Sequence, residues 1–114
     1  MKKFETFCPV RDILDRLGDK WSVLVILILE KSDVVRFSEL ARSIPDISQK
    51  MLTVTLRNLE EMNLVKRTIY PEVPPRVEYS LTELGVSLLV PMHLMIDWAL
   101  EHKEECLSTT HTLS

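Results

Sequence analysis

The stretch SQKMLTVTLRNLEEMNLVKR, residues 48–67, decides how this chain is read. At about 100° per residue, Leu52, Thr55, Leu56, Leu59 and Asn63 fall in one arc. Lys50, Thr53, Val54, Arg57 and Glu61 fall in the opposite arc. The first arc belongs in a core. The second is polar and partly basic, and what it faces is the question. Ser48 stands where an N-cap is expected, because its hydroxyl can accept an orphan N–H of the first turn.

Working outward, FSELARSI (37–44) gives a short helix with Leu40, Ala41 and Ile44 on one side and Glu39 and Arg42 on the other, ended by Pro45. VVRF (34–37) is too short for more than an edge strand. Two helices joined by a short polar turn outline a helix-turn-helix. Downstream, LVKRTIY and RVEYSL alternate as strands do, and the PEVPP between them must be loop, since proline donates no ladder hydrogen bond. A hairpin directly after the second helix makes the motif a winged one.

Thr82 opens a last helical region with TELG, and Pro91 is expected to kink or split it. Beyond Pro91 the segment is apolar on more than one face: Met92, Met95, Ile96 and Ala99, with Leu94 and Trp98 beside them. That is more than a small domain covers, and a dimer partner is the simplest cover. Upstream, Pro9 suits the first position of a helix continuing through VRDILDRL, with Gly18 as its C-cap. WSVLVILIL (21–29) reads as strand on propensity, but Asp19 as N-cap and a length above ten residues for DKWSVLVILILEKS favour a buried helix.

The chain has 114 residues, 46% apolar and 27% charged, which suits one soluble globular domain over residues 1–107 with a flexible polar tail at 108–114. Its longest apolar run is about half a membrane span, and the N-terminus has no secretory pattern, so no membrane partner is expected. Cys8 and Cys106 lie at opposite ends and make no disulfide framework, which points to a reducing cytoplasm. Net charge is −3, yet residues 80–114 alone carry −4 and residues 36–79 carry +1. The middle of the chain is free to present a basic face.

CPVRDILDRLGDKW, RFSELARSIPDISQKMLTVTLRNLEEMNLVKR and YPEVPPRVEYSLTELG together resemble the HxlR-type bacterial transcription regulators, winged-helix proteins with MarR-like architecture. The resemblance spans roughly residues 8–100, and the proline-rich wing tip followed by TELG is its most specific part. It implies a mainly α fold with a small β-sheet, a homodimer built by the terminal helices, and a true helix at residues 21–29. It also implies a regulator of transcription, read here as a repressor, in which an N-terminal cysteine at the place of Cys8 senses oxidants or electrophiles.

On this reading double-stranded DNA is the partner, and the helix from Ser48 lies in a major groove. Gln49 reads a base edge, Lys50 a guanine or a phosphate, Thr53 and Val54 thymine methyls, and Arg57 a phosphate or base further along. Lys66, Arg67 and Arg76 flank the wing tip, with Arg76 assigned to a minor groove and Glu72 set against phosphate. Arg36 and Ser38 are further phosphate contacts. The plain alternative is a solvated helix face. A thiolate at Cys8 is favoured by a helix start at Pro9 and by Arg11, and pairing with Cys106 of the other subunit would shift the two recognition helices. His102 and Cys106, four apart, are two ligands and not a metal site. Gly18 and Gly85 are the chain's two glycines, neither in a phosphate-binding loop, and no catalytic arrangement is visible, so neither cofactor nor enzyme activity is expected. The alternative from another class is a winged-helix module that docks on protein without sequence-specific DNA binding; free Lys50 and Arg57 argue against it, since such an interface would favour exposed aromatics.

Overall fold

A computed structural model describes the backbone of residues 2–107 and the side chains from Pro9 to Leu107. The elements follow in the order α1 (Lys2–Leu17), α2 (Lys20–Glu30), β1 (Val35–Arg36), α3 (Phe37–Ser43), α4 (Gln49–Glu61), β2 (Val65–Tyr70), β3 (Arg76–Leu81) and α5 (Glu83–Glu101), with a helical stretch after α5 at 103–107. The sheet is antiparallel with order β1-β3-β2, so VVRF does supply an edge strand, pairing Val35 with Tyr79.

The run at 21–29 is helical, as expected. Asp19 caps it, its carboxylate accepting from the Ser22 N–H at 2.9 Å. This helix is apolar all round because it is the centre of the domain: Val25, Ile26 and Leu29 are buried against Leu40, Leu52, Leu56 and Leu59. The inner arc of α4 is thus the core face, with Thr55 buried among the leucines. Asn63 is the exception to that arc. The helix ends at Glu61, and Asn63 turns the chain at φ 64°, a left-handed conformation that asparagine tolerates better than most residues.

Two expectations, both about prolines, need correction. Pro9 lies inside α1, which begins at Lys2, so no helix N-terminus adjoins Cys8. Proline's missing N–H costs one backbone bond, and the helix runs through it. Gly18 follows Leu17 at the end of α1 and donates to the Leu14 carbonyl, as expected of the residue that closes the helix. Pro91 does not split α5, which is continuous for 19 residues. Met92 is buried and Leu88, Leu89 and Ile96 pack on the core, so contacts on both sides of Pro91 offset the roughly 3 kcal/mol that an interior proline costs.

By length and hydropathy α5 could also cross a membrane. Here it is docked on the domain instead. Thr82 caps it by accepting from the Gly85 N–H at 3.0 Å, and His93 Nε2 lies 2.7 and 2.9 Å from the two carboxylate oxygens of Glu30. Its outer flank remains open: Val90, Leu94, Met95, Trp98 and Leu100 are exposed, as are Val10, Ile13 and Leu14 of α1. The tail at 108–114 lies outside the described residues.

Candidate nucleic-acid interface

The outer arc of α4 is exposed from end to end at Gln49, Lys50, Thr53, Val54 and Arg57. Ser48 begins it, its Oγ accepting from the Met51 N–H at 3.0 Å. That leaves the hydroxyl proton available to an outside acceptor. The Thr53 hydroxyl is engaged within the helix, donating to the Gln49 carbonyl at 2.9 Å. Neither Lys50 nor Arg57 has a carboxylate partner within ion-pair distance among the described residues. Two uncompensated cations about two turns apart on one helix face are suited to a polyanion.

The wing behaves differently. Lys66 is exposed and unpaired among the described residues, whereas Arg67 points to the other side of β2 and meets Glu60 of α4 at 3.6 Å. Tyr79, the cross-strand partner of Arg67, is buried. Burial pushes its phenol above the ordinary tyrosine range; Arg67 opposes that shift and Glu60 adds to it. The phenol therefore stays neutral under physiological conditions. Arg76 is folded back between Glu72 and Glu78 over the Tyr70 ring.

Arg36 and Ser38 meet the wing rather than α4. They line, with Glu72, Val73, Pro74 and Arg76, an open cleft of about 410 Å³ between the start of α3 and the wing tip. The Arg36 N–H donates to the Glu39 carboxylate at 2.9 Å, which closes the first turn of α3 and leaves the guanidinium exposed. The structure thus groups most of the expected DNA contacts into two clusters, one along α4 and one of Arg36, Ser38 and Arg76 at the wing cleft, and leaves Lys66 and Arg67 in neither, on β2 towards the open end of the hairpin. Sequence reasoning missed Glu60 and Tyr70, whose partners become visible only once the hairpin and α4 are placed.

No group of three or more His, Cys, Asp or Glu side chains among the described residues could hold a metal ion. His102 is occupied with Glu105, at 2.8 Å, and lies against Trp98. Cys106 is an exposed free thiol, and the Cys8 side chain lies outside the described residues.

A short helix, a capped helix with a bare cationic outer face and a hairpin behind it define a winged helix-turn-helix of the kind that regulates transcription. Residues 16–106 match the HxlR-like helix-turn-helix family, and the chain belongs to it. An HTH-type transcriptional regulator of Methanothermobacter thermautotrophicus is 48% identical over 94 residues, covering 82% of this chain and 71% of that protein. Among solved structures, the redox regulator HypR in its reduced form superposes with a TM-score of 0.79 at 39% identity, covering 88% of this chain and 98% of that one. The reduced form of the transcriptional regulator YodB from Bacillus subtilis gives 0.70 at 39% identity, covering 78% and 86%. The chain is a transcriptional regulator with a DNA-binding helix-turn-helix fold.

Proposed function

We propose that this regulator is a cytoplasmic repressor that binds a palindromic operator as a homodimer, each subunit laying Ser48 to Arg57 in a major groove. The observation that carries the reading is the outer face of α4, where Lys50 and Arg57 stand without carboxylate partners. Two-fold symmetry puts the half-sites about one helical turn apart. The exposed apolar flanks of α1 and α5 supply the surface for the second subunit. Lys66 takes the neighbouring backbone from the open end of the hairpin, Arg36 and Ser38 take it at the cleft by the wing tip, and Arg67 braces the hairpin on α4.

Fluorescence anisotropy against DNA from upstream of the protein's own gene, with scrambled DNA alongside at two salt concentrations, tests the proposal. Preference for the upstream DNA and steep weakening with salt are expected. Equal binding to both, or none, at every promoter tried would leave the α4 face as a protein-docking surface. Gln49→Ala is expected to lose about tenfold on the operator while random-sequence binding holds, the signature of a base contact. Equal losses on both DNAs would remove Gln49 from base reading.

The signal in this reading is thiol oxidation. HypR is described as a redox regulator; Cys8 falls within α1, and Cys106 follows the end of α5, the two helices that bear the open apolar flanks. Diamide would take two electrons and two protons from Cys8 of one subunit and Cys106 of the other, forming an intersubunit disulfide and a hydrazine. Non-reducing electrophoresis is expected to show a covalent dimer in wild type and none in Cys8→Ser. An equal amount in both would exclude the pairing.

A further inference from the structure

Arg76 is the wing cation whose surroundings are most fully built. Its Nη2 lies 3.1 Å from Glu72 Oε2, its Nε 3.4 Å from Glu78 Oε2, and its Cζ 4.1 Å from the centre of the Tyr70 ring. The Nε is buried without an aligned hydrogen bond among the described residues, so its contact with Glu78 is one of charge. The cluster is assembled by the hairpin itself. Tyr70 and Arg76 are the last cross-strand pair before the tip, Glu78 is the next residue on the same face of β3, and Glu72 belongs to the connection.

A guanidinium set between two carboxylates and over an aromatic face is neutralised before any DNA arrives. Drawing it out to a phosphate would strip both carboxylates of their partner, and they would then face the same polyanion. The Arg76 side chain is 29% exposed and that of Glu72 is 51% exposed. At the wing tip it is therefore the carboxylate, more than the cation, that meets an approaching backbone.

We propose that Arg76 is a positioning residue that acts on DNA through Glu72: it neutralises and holds back the carboxylate at the wing tip and makes no phosphate contact of its own. The inference rests on the DNA-binding reading above. It reassigns the residue that the hairpin sequence alone would send into a minor groove.

The test uses the full chain and a duplex selected by the wild-type protein from a random-sequence library. Failure of the selection to enrich any sequence would overturn the DNA-reading proposal itself, and this inference with it. With the duplex in hand, Arg76→Ala is expected to weaken binding about tenfold, and Arg76→Ala with Glu72→Gln to return within about twofold of wild type. The slope of log affinity against log salt should be the same in the double variant as in wild type. A direct phosphate contact predicts otherwise: the double variant stays as weak as Arg76→Ala, and the slope falls by about one in both. Wild-type affinity in Arg76→Ala would equally overturn the inference. Melting temperatures are measured beside each titration. Arg76→Gln, which keeps some packing over Tyr70, replaces alanine if the alanine variant melts early. A change of stability alone would not be reversed by Glu72→Gln.

Discussion

Gly85→Ala is expected to destabilise the domain by about 3 kcal/mol, lowering its melting temperature by roughly 10 °C or more. Gly85 is buried in the first turn of α5, and a Cβ there would collide with the Leu64 carbonyl oxygen, with the Leu64 carbonyl carbon and Leu81 Cδ2 each at 3.2 Å. The neighbour cannot yield cheaply, because that carbonyl oxygen accepts the Thr82 N–H at 3.0 Å and the Thr82 hydroxyl donates to the Asn63 carbonyl at 2.7 Å. Backbone therefore meets backbone at the point where α5 docks on the turn before the wing. Thermal unfolding followed by circular dichroism reads the effect, and a melting temperature within about 2 °C of wild type would show that α5 can slide away from this turn.

The second large effect is functional. Lys50→Glu combined with Arg57→Glu should weaken DNA binding by on the order of a hundredfold or more at moderate salt, on operator and random DNA alike. Both side chains are exposed and without carboxylate partners among the described residues, so the substitution leaves the leucine face of α4 intact and the melting temperature near wild type. The loss should also flatten the salt dependence by about two units of slope if both cations meet phosphate. Retained binding with an unchanged slope would place the DNA on some other face of the domain. Anisotropy and a thermal melt on the same preparation decide the matter.

The order of the elements and the two faces of α4 could be read from the residues because each rests on local information. A period of 3.6 or 2, a serine, aspartate or threonine ahead of a helix, and prolines between two alternating runs need no tertiary contact to interpret. The misreadings share a cause as well. Pro9 and Pro91 look like boundaries locally, but the helix runs through both, and at Pro91 the packing of Leu88, Leu89, Met92 and Ile96 on the core carries it. Asn63 sits on the apolar arc of a helix that has already ended. The requirement for glycine at position 85 comes from the Leu64 carbonyl, which no periodicity points to. At the candidate interface, Lys50 and Arg57 stand exposed where the outer arc put them, whereas Arg67 and Arg76 have partners supplied by α4 and by the hairpin's own pairing. A count of basic residues therefore overstates the positive charge of the wing.

The junction between α4 and β2 has a further consequence. Asn63 and Leu64 hold the end of α4, the start of β2 and the cap of α5 together through the bonds from Thr82, and Arg67 reaches across to Glu60. Recognition helix and wing are thereby fastened into a single gauge of fixed span. On the proposed mode of binding, such a gauge would measure the DNA within a half-site as a caliper does, accepting or rejecting a groove width. In the proposed homodimer, tolerance for variation would then lie between the half-sites, where α1 and α5 of the two subunits would set the distance.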